Sequence, residues 1–226
     1  MGLIIGIEST AHTFSFGAVS SDGSDVLPSS SSLYRPEEGG IHPREAADHH
    51  VQSAGDLLRT AMESWGANKD DVEAIAFSQG PGLGPCLRVG GSVARSMSMA
   101  LDVPLIGVNH CVAHIEIGRR MTGCDDPILL YVSGGNTQVI ARASGRYRVL
   151  GETLDIGIGN MLDKFGRSIG IPFPGGPEIE RKASRFIQEN GSEHLLDLPY
   201  AVHGTDMAFS GILGACLLYT SDAADE

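Results

Sequence analysis

The chain has 226 residues, of which 42% are hydrophobic and 19% are charged. These proportions are typical of a globular protein with enough apolar material for one large or two small domains. The net charge of −12 repels a phosphate backbone, so the chain by itself is not expected to bind nucleic acid strongly. No apolar run is long enough to span a bilayer, and the apolar start lacks the basic residues of a signal peptide. The four cysteines form no CxxC pair, which favours a reduced, cytoplasmic location.

The first half of the chain predicts a hairpin, a long helix and then strands that alternate with helices. Two apolar segments, 3–9 and 14–21, flank a polar turn and are typical of paired strands. A mobile loop is predicted next, over the Ser-, Gly- and Pro-rich segment SDGSDVLPSSSSLYRPEEGG. Apolar residues then recur at helical spacing over 44–65, directly after Pro43. The remaining predictions for this half are a strand over 72–78, a helix over 87–102 and a strand over 103–108.

The second half repeats this order. A helix is predicted over HCVAHIEIGRRM, followed by strands over 127–133 and 137–143 around a glycine turn. RYRVLGETL predicts a strand and loop, and helices follow over 159–170 and 178–190, separated by a turn at FPGGP. Because strand–turn–strand followed by helices occurs twice, the sequence predicts a mixed α/β fold with two related lobes that meet near Val103 to Asn109. A cleft between such lobes is the expected place for a ligand.

His110 and His114 lie four residues apart in GVNHCVAHIEIG, so both imidazoles would project from one face of a helix. One metal ion could be bound by both. The zinc-peptidase signature HExxH has the same spacing but requires a glutamate directly after the first histidine, as general base. Cys111 occupies that position, so a peptidase of that mechanism lacks its base. From these residues alone, a metal site and two histidines with structural hydrogen bonds both remain open.

Two glycine-rich turns are candidate nucleotide contacts. In VSGGNT, Gly134 and Gly135 would allow a ligand to approach closely, and successive amides in such a turn form an anion-binding nest. The alternative is an ordinary hairpin turn whose glycines supply positive φ. In FPGGPEIE a nucleoside could lie on the glycine backbone beside Glu178 and Glu180, or the segment could simply begin a helix.

Asp163 lies on a predicted helix that is otherwise apolar. Its carboxylate could bind ribose hydroxyls, or it could pair with Lys164 or Arg167 on a solvated face. The spacing of these residues is compatible with both ribose binding and an ion pair at the surface.

Motifs along residues 1 to about 213 resemble, in wording and order, the TsaD/OSGEP tRNA threonylcarbamoyltransferases, which were formerly labelled glycoproteases. They are GIESTAHTF, GGIHPREAADHH, QGPGLGPCLRVG, NHCVAHIEIG, LLYVSGGNTQ, LDKFGRSIGIPFPGGPEIE and MAFSG. AHTF and IHPREAADHH resemble archaeal members, which act within the KEOPS complex. The resemblance implies a two-lobed actin/Hsp70/sugar-kinase-like fold, with 1–105 as the N-terminal lobe and 106–213 as a partial second lobe.

The resemblance also implies a reaction. A threonylcarbamoyl group passes from its adenylate to the exocyclic amine of the adenosine beside the anticodon in tRNAs that read ANN codons, and AMP is released. The reaction is metal-assisted, so the resemblance assigns no catalytic side chain; it implies one divalent metal, iron or zinc, bound by His110, His114 and Tyr131. The adenylate, or alternatively ATP, would be held at its phosphate by Tyr131, Val132, Ser133, Gly134 and Gly135, and at its nucleoside by Asp163, Gly176 and Glu180.

The implied partners are tRNA and the other KEOPS subunits, with no membrane. Those subunits are a small kinase-like ATPase, a small dimerising subunit and a tRNA-binding subunit. The predicted helix over 44–65 is a candidate docking face for the dimerising subunit, or an ordinary amphipathic helix on its own lobe. A metallopeptidase, which the older family label suggests, and a non-catalytic nucleotide-binding scaffold are the alternative functions.

Beyond about Leu213 the resemblance is lost. The segment 214–226, which includes LLYTSDAADE, is expected to be a foreign, artefactual tail without helical periodicity. The second lobe is then incomplete and lacks a nucleotide-binding asparagine and a metal-binding aspartate that the family carries. We therefore expect the chain by itself to be inactive.

Overall fold

The computed structural model describes residues 2–36, 40–192 and 195–222. The chain divides into two compact units, Met1–Ile117 and Gly118–Glu226. Both contain strands and helices, which confirms the predicted mixed α/β class. The lobe limits predicted from the sequence, 1–105 and 106–213, stay a prediction. Within the described parts of the chain, no helix is long and apolar enough to cross a membrane.

The first unit is built around a five-stranded sheet with the order β3-β2-β1-β4-β5. β2 pairs antiparallel with both β1 and β3, whereas β4 runs parallel to both β1 and β5. Two long helices, α1 and α2, pack against the sheet and each other, and α3 directly follows β5. The strands are β1 (Leu3–Glu8), β2 (Thr13–Ser20), β3 (Val26–Leu33), β4 (Val72–Gly80) and β5 (Leu105–Asn109). The helices are α1 (Pro43–Trp65), α2 (Gly84–Leu101) and α3 (His110–Thr122), and a short 3-10 turn spans Lys69–Asp71.

Buried and partly exposed residues alternate along β1 and β2, and the buried ones form the core of this unit. Every second residue of each strand is buried, as expected for a sheet with one face against helices. Phe14 and Phe16 are fully buried and pack edge to face with ring centroids 5.5 Å apart. Ala61 of α1 and Ala94 of α2 are fully buried against them, because small residues let the helices approach the sheet closely.

The segment predicted to be a mobile loop contains β3, so that prediction is wrong for Val26–Leu33. β3 is an edge strand, and its backbone pairs with β2 from Thr13 to Val19. Its four serines and one proline conceal the apolar alternation of a strand, since an edge strand can expose most of its side chains. The Trp65 indole donates to the Pro28 carbonyl at 2.7 Å and ties the end of α1 to this edge. Residues 37–39 of the predicted loop lie outside the described residues.

The second unit begins with an antiparallel three-stranded sheet of order β6-β7-β8, followed by helices. Strand–turn–strand followed by helices therefore occurs in both units, as the sequence predicts. The strands are β6 (Ile128–Val132), β7 (Thr137–Ala143) and β8 (Arg146–Glu152), with a separate small pair β9 (Val202–His203) and β10 (Asp206–Met207). The helices are α4 (Ile158–Ser168), α5 (Gly175–Asn190) and α6 (Ser210–Asp222).

Two segments that were not predicted to be helical are part of helices. Gly175 and Gly176, which were predicted to lie in a turn, are the first residues of α5, with Pro174 as its N-cap. The tail segment LLYTSD belongs to α6 as far as Asp222. Its periodicity was not visible in the sequence because small and apolar residues occupy the helix all round. Residues 223–226 of the predicted tail lie outside the described residues.

Asp155 caps α6 from a distant part of the chain. Its carboxylate accepts hydrogen bonds from the amides of Phe209 at 2.8 Å and Ser210 at 2.9 Å, where α6 begins. It also accepts from the amide of Ile156 at 2.6 Å. Desolvation alone would raise the pKa of Asp155, but the hydrogen bonds from these amides outweigh it and hold the pKa well below its usual range. The resulting stabilisation is present at neutral pH and is lost as the pH falls through the lowered pKa.

We expect Asp155→Ala to lower the free energy of unfolding of the second unit by about 1 kcal/mol at neutral pH, as for a lost helix cap. The deficit should shrink in strong acid, where the wild-type carboxyl is protonated. Urea unfolding followed by far-UV circular dichroism measures both effects. Asp126→Ala is the matched control, because Asp126 is exposed and makes no side-chain hydrogen bond within the described residues. Equal losses in the two variants at neutral pH would show that the cap contributes nothing.

Candidate functional site

The carboxyl ends of β1, β4 and β5 meet at one edge of the first unit's sheet, because these neighbouring strands are parallel. Ligands commonly bind at such an edge in α/β sheets. Glu8 is the last residue of β1, Ser78 lies near the end of β4, and His110 follows β5 as the first residue of α3. The fold therefore brings polar side chains from three distant segments into hydrogen-bonding distance.

His110 and His114 lie on one face of α3, as their spacing predicts. Their Nε2 atoms are 3.2 Å apart, and the two rings are nearly perpendicular with centroids 4.5 Å apart. Cys111 and Ile115 are buried on the adjacent face and anchor the helix to the unit. The His110 side chain is only 15% exposed, whereas His114 is exposed. The two nitrogens thus converge at a point that is accessible from solvent.

Glu8, which sequence reasoning did not select as a site residue, holds the ring of His110. Its Oε2 accepts from His110 Nδ1 at 3.0 Å and from the Ser78 hydroxyl at 2.5 Å. Its Oε1 accepts from the amide of Thr10 at 2.7 Å and from the Thr10 hydroxyl at 2.5 Å. Burial alone would raise the pKa of Glu8, but the hydrogen bonds from His110, Ser78 and Thr10 outweigh it and lower the pKa to about 2.

The contact with Glu8 restricts the hydrogen positions of His110. A carboxylate oxygen can only accept, so the 3.0 Å contact places a hydrogen on His110 Nδ1. With its one hydrogen there, a neutral His110 ring carries a lone pair at Nε2, and the 3.2 Å contact is then donated by His114 Nε2. Desolvation, and next the proximity of His110, lower the pKa of His114, which favours the neutral form of that ring. When the His114 hydrogen lies on Nδ1 instead, both Nε2 atoms present lone pairs to one point.

The histidine pair fits a metal ion, because two neutral imidazoles suit iron or zinc and a carboxylate holds the far nitrogen of one of them. Tyr131, the third ligand that the resemblance implies, is on β6 of the second unit and is 8% exposed. Among the described residues, no group of three or more His, Cys, Asp or Glu is arranged to hold a metal. The ligand set of His110, His114 and Tyr131 stays a prediction.

The VSGGN turn joins β6 to β7 and is closed by two of its own residues. Ser133 donates from its amide at 2.8 Å and from its hydroxyl at 3.0 Å to the Asn136 carbonyl, and its hydroxyl accepts from the Asn136 amide at 3.0 Å. Neither Gly134 nor Gly135 has a positive φ, so the alternative of a hairpin that needs such glycines is wrong. Both glycines are exposed, with no atom within 4 Å of an added Cβ. They leave the backbone open to a ligand.

Helix α4 begins in direct contact with this turn. The Gly159 amide donates to the Ser133 carbonyl at 3.2 Å, and the Ile158 amide donates to the hydroxyl of Thr137 at 2.9 Å. A Cβ on Gly159 would lie 2.8 Å from the Ser133 carbonyl oxygen and 2.9 Å from the Gly134 nitrogen. Only glycine permits this approach, which sets the positive end of the helix dipole beside the exposed amides of the turn.

Asp163 does not pair with Lys164 or Arg167, so that alternative is wrong. Its Oδ1 accepts from the amide of Gly175 at 2.8 Å and joins α4 to the first turn of α5. No described residue donates to its Oδ2. Asp163 thus contacts the first glycine of α5, and its part in binding a nucleoside stays a prediction.

The two glutamates early in α5 differ in their surroundings. Glu178 accepts from Arg181 at 2.6 and 2.9 Å and lies 3.8 Å from Lys182. The hydrogen bond from Arg181 lowers the pKa of Glu178. Glu180 makes no ion pair within the described residues and lies one turn after Gly176 on the same helix face. It borders a surface depression of about 420 Å³. Of the two, Glu180 is therefore the one available to a ligand.

A family model described as TsaD, tRNA N6-adenosine threonylcarbamoyltransferase, matches residues 26–225 of the chain. The chain belongs to the TsaD family. It is 52% identical over 221 residues to the tRNA N6-adenosine threonylcarbamoyltransferase of Methanopyrus kandleri, covering 95% of this chain and 62% of that protein. The protein of the same name from Thermococcus kodakarensis is 53% identical over 211 residues, with 93% and 62% covered.

A second kind of TsaD relative is longer. The chain is 54% identical over 217 residues to the probable bifunctional tRNA threonylcarbamoyladenosine biosynthesis protein of Thermoplasma volcanium, covering 96% of this chain and 40% of that protein. The chain thus spans 40% to 62% of the length of these TsaD relatives. Among solved structures, the ethanolamine utilization protein EutJ from Carboxydothermus hydrogenoformans has a TM-score of 0.49 at 16% identity, with 83% of this chain and 64% of that chain covered.

Proposed function

We propose that the protein transfers the threonylcarbamoyl group from threonylcarbamoyl-adenylate to the adenosine beside the anticodon in tRNAs that read ANN codons. The N6 amine attacks the carbamoyl carbon, the bond from that carbon to the phosphate oxygen breaks, the amine loses a proton, and AMP leaves. The observation that carries this proposal is the match to the TsaD family over residues 26–225. Contacts within each unit support it in the ways described next.

The phosphate of the adenylate would lie against the turn between β6 and β7, at residues 131–135. The exposed backbone of Gly134 and Gly135 offers amides without side chains in the way. The start of α4 adds the positive end of its dipole, which favours an anion. Because negative charge grows on the phosphate as AMP leaves, amides fixed in this way would stabilise the transition state.

The nucleoside of the adenylate would lie on the first turn of α5. Asp163 uses one carboxylate oxygen to hold the Gly175 amide, which leaves Oδ2 for a ribose hydroxyl. Gly176 presents bare backbone, and Glu180 follows on the same face as a second acceptor. These three residues are the nucleoside contacts that we propose.

We propose that His110 and His114, with Tyr131 as third ligand, hold one iron or zinc ion. The chemistry that such an ion supplies is Lewis-acid polarisation of the transferred group. His110 contributes a lone pair at Nε2 that its Nδ1–H bond to Glu8 keeps in place. His114 would contribute its own Nε2 when the one hydrogen of its neutral ring lies on Nδ1 and not between the two rings. Metal binding would therefore be accompanied by a change of tautomer in His114.

We propose tRNA and the KEOPS subunits as partners, in the cytoplasm. An acidic chain depends on others for most contacts with the tRNA backbone, and the small kinase-like ATPase and the tRNA-binding subunit would accompany it. The small dimerising subunit would dock on α1, where a groove of about 450 Å³ separates α1 from α2. Val51, which is 64% exposed, lines this groove together with Arg44 and Arg88. Four free cysteines agree with a reduced compartment.

Calorimetric titration of AMP into the chain, together with a glycoprotein-cleavage assay, tests this function against a peptidase. We expect saturable binding of one AMP per chain and no cleavage, with or without zinc. Cleavage of the glycoprotein without AMP binding would establish the peptidase and overturn the proposal. Position 111, where HExxH has glutamate, is a buried cysteine, which is the physical reason to expect no cleavage.

A further inference from the structure

We infer that Glu8 is the positioning residue of the histidine pair. Its carboxylate fixes the hydrogen of His110 on Nδ1, and this directs the lone pair of His110 Nε2 towards His114. The role rests on the proposed function in one respect, namely that the pair binds a metal ion. The tautomer of His110 is a property of the chain itself and can be measured without metal.

Among the described residues, the carboxylate of Glu8 makes one ion-pair contact, with His110. His114 and His50 interact with Glu8 at longer range, by charge alone. Its remaining hydrogen bonds come from neutral donors, namely the Ser78 hydroxyl and the amide and hydroxyl of Thr10. A buried carboxylate is stabilised only if its hydrogen bonds replace those lost to water. A carboxylate oxygen can only accept, so the 3.0 Å contact places a hydrogen on His110 Nδ1.

The turn after Glu8 is held by both long helices. His50 of α1 is fully buried, and its Nε2 donates to the Ala11 carbonyl at 3.0 Å. The amide of Leu83, directly before α2, donates to the carbonyl of Thr10 at 2.7 Å. Thr10 in turn supplies two of the four donors to Glu8. The carboxylate is therefore fixed by the scaffold, and it does not depend on the exposed His114 for its position.

A substitution to glutamine reverses the hydrogen-bond pattern without changing the size of the side chain. The amide of Thr10 can only donate, so the glutamine oxygen must face Thr10. Its NH2 group then faces His110 Nδ1, which has to accept. The hydrogen of the His110 ring moves to Nε2, and that nitrogen no longer offers a lone pair. A role limited to stability would lower the melting temperature but would leave the tautomer unchanged.

The experiment records ¹⁵N shifts of the histidine rings in the full 226-residue chain, followed by titration with Zn²⁺ against a competing chelator. We expect Nδ1–H on His110 in the wild type and Nε2–H in Glu8→Gln. Outer-shell partners of metal ligands are typically worth ~10–100-fold in affinity, so Glu8→Gln should weaken Zn²⁺ binding by about that factor. Glu63→Gln, on the exposed face of α1, is the matched control and should change neither quantity.

Each outcome separates this role from the proposed function. If His110 carries Nε2–H in the wild type, or if Glu8→Gln keeps both Nδ1–H and full Zn²⁺ affinity, the role of Glu8 is overturned while metal binding stands. If the tautomer inverts but the wild type binds no more Zn²⁺ than His110→Ala, Glu8 has its role and the proposed metal site is wrong. Should Glu8→Gln not fold, the wild-type tautomer alone decides. Ser78→Ala, which leaves the contact between Glu8 and His110 in place, should retain Nδ1–H.

Discussion

Replacing either His110 or His114 with alanine is expected to weaken binding of Zn²⁺ by more than ~100-fold, beyond the ~10–100-fold typical of an outer-shell partner. The two Nε2 atoms are 3.2 Å apart, so each variant removes half of a converging pair. The remaining imidazole alone binds a metal weakly, as surface histidines do. Titration against a chelator of known affinity measures the difference.

His203→Ala is the matched control for this experiment. His203 is exposed on β9 in the second unit, and its side chain makes no hydrogen bond within the described residues. The control separates loss of the site from loss of a generic histidine. If all three variants bound Zn²⁺ like the wild type, the pair would be two histidines with structural hydrogen bonds, the alternative that spacing left open.

Gly159→Ala is expected to disrupt the proposed phosphate site, which is the turn between β6 and β7 at residues 131–135. Its new Cβ would lie 2.8 Å from the Ser133 carbonyl oxygen, and backbone atoms cannot rotate away as a flexible side chain can. α4 must therefore move off the turn, at a cost of about 1–3 kcal/mol in the free energy of unfolding of the second unit. AMP affinity should fall at least tenfold, which corresponds to about 1.4 kcal/mol. Urea unfolding and calorimetry measure the two effects.

Gly211→Ala serves as the matched control, because Gly211 is also the second residue of a helix in the same unit, α6. No atom lies within 4 Å of a Cβ at that position, so the substitution should be neutral or slightly stabilising. Wild-type AMP affinity in a folded Gly159→Ala protein would contradict the proposed place of the phosphate.

The sequence predicts those parts of the fold in which side chains of one kind recur at the regular spacing of a strand or a helix. The alternating strands β1 and β2, the long helix α1 and the face shared by His110 and His114 all follow from side-chain spacing. The spacing of apolar residues does not reveal the secondary structure of a segment that depends on tertiary contacts, or of one whose composition hides the repeat. β3 is a strand because β2 offers it a hydrogen-bonding edge, although its serines are typical of a loop. α6 is a helix with no distinct apolar face.

The candidate site was predicted only in part, because two of its contacts join residues far apart in sequence. Glu8 is 102 positions from His110, and nothing near either residue indicates that they meet. The available signal was a carboxylate directly after an apolar strand, at the edge where parallel strands end. Asp163 was expected either to bind ribose or to form an ion pair, whereas its hydrogen bond to Gly175 depends on how α4 packs on α5.

Transfer of the threonylcarbamoyl group is tested most directly by nucleoside mass spectrometry of tRNA. Because the chain matches the Thermococcus kodakarensis relative over 211 residues, those residues would replace the matching part of that protein. The chimera, supplied with threonylcarbamoyl-adenylate, a tRNA that reads ANN codons and the KEOPS partners, is predicted to form threonylcarbamoyladenosine beside the anticodon, and its His110→Ala version is not. Unmodified tRNA from the chimera, when the intact relative modifies it fully, would contradict the proposal, as would full modification by the His110→Ala version.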